Sequence, residues 1–213
     1  MSLSSPFTTD CRQCARLSEF LAASKAKYPD YYCKPVPSFG PEDARLLIVG
    51  LAPGLHGANA TGRPFTGDYA GVLLYRTLFD HGFASSSESR ASDDGLELID
   101  CRITNAVRCV PPQNKPVAEE VNNCNGFLGQ ELALVPDGGV VLALGSIAHK
   151  AAVRASGLRQ KDYPFGHASR GEIERGITLI DSYHCSRYNT QTKRLTDAMF
   201  DSVFREIRAI LDR

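Results

Sequence analysis

The chain has 213 residues, 24 lysines and arginines against 24 aspartates and glutamates, and 43% hydrophobic residues. These values suit an ordinary globular protein and exclude collagen-like, low-complexity and strongly charged chains. Zero formal net charge provides no global attraction to nucleic acid, so any basic footprint must be local.

The stretch "MSLSSPFTTDCRQC" has no basic segment followed by an apolar core, so it does not read as a signal peptide. No apolar run approaches the roughly 18 residues of a membrane span. A monomeric, cytoplasmic protein without membrane contact is expected. In that reducing compartment the seven cysteines are core residues or metal ligands rather than disulfides.

In chain order, "CRQCARLSEFLAASKAKY" has helical spacing, and the Pro/Gly-rich "KPVPSFGPED" is a surface connection. "ARLLIVGL" is a short apolar run of the kind buried in parallel sheets. The long loop "GLAPGLHGANATGRPFTGD" comes next, and then helical "GVLLYRTLFDHGF". A second strand lies in "LIDCRITNAVRC". A helix begins at "PVAEEVNNC", with proline and acidic residues in its first turn. "GGVVLALGS" is a third strand before helical "IAHKAAVRAS". "GITLIDSYH" is a fourth, and "TDAMFDSVFREIRAILDR" closes the chain as an amphipathic helix. Four strands alternating with helices predict one α/β domain over 1–213: a three-layer αβα sandwich around a mainly parallel four-stranded sheet. In such sheets ligands bind at the carboxyl ends of the strands. The loops "GLAPGLHG", "NAVRCVPPQN", "LGS" and "SYHCSRYN" should therefore meet at one site.

Two familiar glycine signatures are absent from the first loop. Gly57 and Gly62 have phosphate-loop spacing, but Arg63-Pro64 replaces the required Lys-[Ser/Thr]. No G-x-G-x-x-G follows the strand either. What the loop does carry is a cation, an aromatic ring and a carboxylate within six positions: Arg63, Phe65 and Asp68. Among the cysteines, Cys11-x2-Cys14 is one pair, and Cys109 and Cys124 form another, separated by 14 residues. Together they suit a four-thiolate site for zinc or an iron–sulfur cluster. Cys33, Cys101 and Cys185 are better suited to the core.

The two loops "GLAPGLHGANATGRPFTGD" and "NAVRCVPPQNKP", the segment "SYHCSRYNTQTKRLT" and the early C-x-x-C resemble the family 5 (type B) uracil-DNA glycosylases. The resemblance runs from Cys11 to the last helix. It implies a [4Fe–4S] cluster on Cys11, Cys14, Cys109 and Cys124. It also implies an enzyme that flips a damaged base from DNA and hydrolyses its N-glycosidic bond, releasing uracil and other deaminated bases such as hypoxanthine and xanthine. Ala52 stands where other branches of the superfamily place a polar, water-directing side chain, and Asp68 is the carboxylate that replaces it. Phe65 matches the aromatic that stacks on the base, Asn114 the amide that reads its edge, and His184 the histidine facing its carbonyl. Ala52 and Gly54 complete the base-binding set. The last motif departs from the family in carrying Cys185 where proline is usual, which predicts a looser loop.

The residue types fit that chemistry. Breaking a C1′–N bond builds positive charge on the sugar, which a carboxylate stabilises. The base leaves as an anion, which needs a hydrogen-bond donor. DNA contacts are expected from Arg63, Arg187, Tyr188, Lys193 and Arg194, with Arg187 or Tyr188 entering the minor groove; Arg108 also lies near a strand end. Each assignment has a plainer rival: Asp68 as a helix cap, Phe65 as core, Asn114 as a turn residue, and the basic residues as a solvated loop. His56, His149 and His167 read as structural, with His167 a candidate for the site rim. Two other functions compete with the enzyme reading. One is a non-enzymatic nucleic-acid-binding module around a four-cysteine metal site. The other is a nucleotide-processing α/β enzyme.

Overall fold

The computed structural model describes residues 6–213. Strands β1 (Leu46–Gly50), β2 (Cys101–Asn105), β3 (Val140–Leu144), β4 (Arg170–Glu172) and β5 (Thr178–Ser182) form one sheet in the order β2-β1-β3-β5-β4. β1, β2, β3 and β5 are parallel, whereas β4 pairs antiparallel with β5. The four expected strands are present, and β4 is an addition to the four-stranded sheet read from the sequence. Its three residues, Arg-Gly-Glu, are largely exposed, so this edge strand carries no apolar signal.

Each central strand is buried along its whole length, because both sheet faces are covered. Leu46 and Ile48 point into one core with helices α3 (Tyr69–Asp80) and α7 (Asp197–Leu211). Leu47 and Val49 point into a second core with α4 (Ala118–Leu134) and α5 (Ser146–Ala155). This is the expected three-layer sandwich. A third cluster joins α1 (Ala15–Lys27) to the segment 107–110 and to α4 through Leu17, Leu21, Val107, Val110 and Phe127. An ion pair reinforces that junction: Arg16 donates to both carboxylate oxygens of the buried Glu120, at 2.8 and 2.7 Å. Glu120 also accepts the Val117 N–H at the start of α4.

The strand order changes direction beside β1. The chain passes from β1 to β2 on one side, then returns to β3 on the other. Such a crossing leaves a crevice between β1 and β3 at their carboxyl ends. Two short helices border it: α2 (Ala58–Thr61) after β1 and α6 (Arg187–Gln191) after β5.

Candidate active site

A cavity of about 520 Å³ opens at that crevice, within the size range of small-molecule sites. All four strand-end loops contribute to its lining, among them Ala52, Gly54, Phe65 and Asp68 after β1, Asn114 after β2, Gly145 after β3 and His184 after β5.

The first loop is held in an unusual path. Phe65 is buried yet has a left-handed backbone, φ 54°, a conformation that needs support from its surroundings. Tyr75 of α3 supplies part of it by donating its hydroxyl to the Pro64 carbonyl at 2.8 Å. Gly71 supplies another part: any Cβ there would collide with the Phe65 carbonyl oxygen. The Phe65 ring therefore belongs to both the core and the cavity wall.

Asp68 does cap α3, with Oδ1 accepting the Gly71 N–H at 2.9 Å. That bond occupies one oxygen. The other lies against the glycine loop, where a Cβ on Gly57 would stand 2.7 Å from Oδ2; glycine is required there to let the carboxylate in. Burial raises the Asp68 pKa, against the lowering effect of the Gly71 and Ala70 N–H groups. Across the cavity, the His184 ring stacks on Phe65, with centroids 5.9 Å apart and planes 27° apart. Burial pushes the His184 pKa down to about 4, so its imidazole is neutral at physiological pH.

Asn105 escaped the sequence reading. It ends β2, pairs in register with Gly50, is buried and lines the cavity. A Cβ on Gly50 would overlap both the Asn105 amide oxygen and the Phe65 ring, so these two side chains share the space over Gly50. The signal was available in its place at the carboxyl end of a buried strand. Asn114 also lines the cavity, from a turn in which it and Gln113 both have φ 56°.

The basic residues divide. Arg187 and Arg194 line the cavity, stacked over Tyr69 (5.0 Å) and Tyr183 (4.7 Å). Tyr188 is 70% exposed on α6, and Lys193 is exposed just beyond it. Arg63, by contrast, is a correction to the DNA-contact set. It is buried, pairs with Asp94 at 2.6 Å, donates to the Ser92 carbonyl and lies 4.4 Å over the Phe39 ring. Its charge braces the loop from inside and does not reach solvent. Arg108 is likewise buried.

The looser last loop expected from Cys185 is also corrected. Cys185 is wholly buried in the core, and Asn189 donates to the His184 carbonyl at 2.8 Å. Ser186 caps α6, so the loop is tied down without proline. Cys33 and Cys101 are buried as expected. His167 stacks on Tyr183 at 5.1 Å, behind the cavity wall.

Cys11, Cys14, Cys109 and Cys124 line a second, small cavity between α1, the segment after β2 and α4. Burial, with mutual repulsion between the thiolates, pushes Cys124 up to about 11 and Cys109 up to about 12. No three or more His, Cys, Asp or Glu side chains among the described residues are set to hold a single metal ion. Among the described residues, no helix is long and apolar enough to cross a membrane.

Residues 37–208 match the sequence profile of the Uracil DNA glycosylase superfamily. The chain belongs to that superfamily. It is 45% identical over 207 residues to a type-5 uracil-DNA glycosylase of Thermus thermophilus, covering 95% of this chain and 94% of that protein. Type-5 uracil-DNA glycosylases of Mycobacterium bovis (41% over 208 residues, 94% and 78% covered) and Pyrobaculum aerophilum (38% over 204 residues, 94% and 88% covered) are similar too. The similarity is to the type-5 branch over nearly the whole chain.

Proposed function

We propose that this protein is a monofunctional DNA glycosylase that hydrolyses the bond between deoxyribose and uracil. The observation that carries this reading is the convergence of Asp68, Phe65, Asn105, Asn114 and the neutral His184 on one cavity. A base in a duplex is out of reach and must be extruded, at a cost of roughly a few kcal/mol. Stacking on Phe65 returns roughly 1–3 kcal/mol of that. The Asn105 and Asn114 amides each offer a donor and an acceptor to the keto–imide edge. Because these amides can rotate, the same pocket accepts hypoxanthine and xanthine.

In the reaction, the C1′–N bond breaks and its electron pair leaves with the base. A neutral imidazole N–H of His184 hydrogen-bonds the base carbonyl and stabilises that anion. Asp68 faces the cationic sugar, orients a water and takes its proton as the water oxygen bonds to C1′. The strand keeps an abasic sugar. Arg187 and Arg194 of the lining, with the exposed Tyr188 and Lys193, carry the DNA contacts. The protein acts as a monomer, at the nucleoid in the cytoplasm.

The four cysteines would hold a [4Fe–4S] cluster. A four-iron cluster takes one thiolate at each corner, and these four cysteines line one small cavity together. When bound, the cluster supplies the covalent junction between α1 and the sheet domain. The reaction itself uses the chain's own side chains.

Base release from duplexes carrying a single uracil, hypoxanthine, xanthine or thymine–guanine mismatch tests the reading. Uracil should be released, leaving an intact strand that alkali cuts. A protein that binds these duplexes but releases no base would instead be a binding module built on a cysteine site.

A further inference from the structure

Arg108 directly precedes Cys109 and lines the same cavity as the four cysteines. It is among the largest fully buried side chains. Its terminal nitrogens are engaged: Nη1 donates to Ser38 Oγ at 2.7 Å and Nη2 to Glu131 Oε1 at 3.0 Å. The guanidinium lies 4.9 Å over the Phe7 ring. The Nε–H alone is buried with no hydrogen-bond partner among the described residues. Leaving a buried donor unpaired costs roughly 1–3 kcal/mol, more when it is charged.

The charge is unbalanced as well. Glu131 accepts from both Arg108 and Arg102, so two guanidinium groups share one carboxylate. A buried cation such as Arg108, with only a shared countercharge, calls for an anion nearby. A [4Fe–4S]²⁺ cluster on four thiolates is a dianion. The Arg108 backbone N–H already faces the Cys124 sulfur.

We infer that Arg108 is the internal counter-ion of the cysteine-bound group, directing its Nε–H at a sulfur and tuning the group's stability and reduction potential. The inference rests on the cluster reading above. Hydrogen bonds to sulfur and nearby positive charge both favour the more reduced, more negative state.

The test uses the full-length holoprotein and three variants. Arg108→Lys keeps the charge and a partner for Glu131 but has no Nε–H. Arg108→Met removes both. Glu131→Gln keeps the Nε–H and leaves the cations less balanced. The midpoint potential should fall in Arg108→Lys, fall further in Arg108→Met and rise in Glu131→Gln. Iron loss to a chelator, followed by visible absorption, should accelerate about tenfold or more in both Arg108 variants. A brace acting only through Glu131 would make Glu131→Gln shift in the same direction as the Arg108 variants, which overturns the inference. So does a clustered Arg108→Lys whose potential and iron-loss rate match the parent. A parent protein without iron and sulfide would instead overturn the cluster reading itself.

Discussion

The Phe65 and His184 rings lie 5.9 Å apart, their planes 27° from parallel. Packing against this apolar ring helps keep the imidazole uncharged, its pKa pushed down to about 4 by burial. A neutral His184 can donate one N–H to a departing base while offering no cation to repel the sugar cation. The Asp68 pKa is raised by burial, so Asp68 sets the acid limit of activity. Single-turnover uracil release should therefore cross the usual histidine range without a step that belongs to His184. It should fall only on further acidification, as Asp68 takes a proton. Asp68 is less acidic than an ordinary aspartate, so the fall should begin above the ordinary aspartate pKa of about 3.9. A step near pH 6.5 that disappears in His184→Ala would mean that a protonated histidine carries the donor role.

His149 gives a second pH dependence, this one in stability. Its Nδ1 lies 2.8 Å from Asp181 Oδ1 and its Nε2 2.8 Å from the Tyr163 carbonyl, so both ring nitrogens face acceptors. Burial works against its charge, but the Asp181 and Tyr163 contacts prevail and its pKa is raised. A raised pKa in the folded state adds stability that is complete below the unfolded value, near 6.5, and is lost as pH rises through the folded value. Unfolding free energy measured in urea should therefore decline from about pH 6 upward, and His149→Gln should flatten that decline. If the parent and the variant lose stability in parallel, the pair is not ionic.

The absence of lysine from the described cavity lining predicts hydrolysis without a Schiff base. Borohydride added during turnover on a uracil duplex should trap no covalent adduct, and the product should be an uncut abasic strand. A trapped adduct would mean that an amine outside this cavity attacks the sugar.

Arg194, stacked 4.7 Å over Tyr183, is one of the arginines that line the cavity. Arg194→Ala should weaken binding to damaged and undamaged duplexes alike. It should also reduce the slope of log affinity against log salt by about 0.9, the value for one phosphate contact. An unchanged slope would remove Arg194 from the interface. Arg63, locked against Asp94, should not alter that slope when replaced. Its loss should instead destabilise the fold.

Much of the architecture was legible because periodicity and position carry it. β1 and β3 announce themselves as continuous apolar runs, and Asp68 and Phe65 sit in a loop whose composition suits a ligand. What was not legible depends on distant partners. In sequence, Arg63 looks like a DNA contact and Arg108 like a charge near a strand end, because Asp94 and Glu131, which bury them, lie 31 and 23 positions away. The β4 edge strand has no apolar residue to reveal it. α6 is one turn long, too short for an apolar period to mark it, although Ser186 caps its start. In sequence, Cys185 shows only as the residue in place of a proline. Its thiol instead fills the core beneath the site, a role that only tertiary packing reveals.

The most direct measurement is the single-turnover rate of uracil release by Asp68→Asn. Asparagine keeps the volume and can still accept the Gly71 N–H that starts α3, so fold, iron content and most DNA affinity should match the parent. What is lost is the negative charge facing the sugar cation. The rate should fall roughly 100-fold or more, about 2.7 kcal/mol of transition-state stabilisation. A folded Asn variant that releases uracil as fast as the parent would reduce Asp68 to a helix cap and contradict the assignment of this cavity.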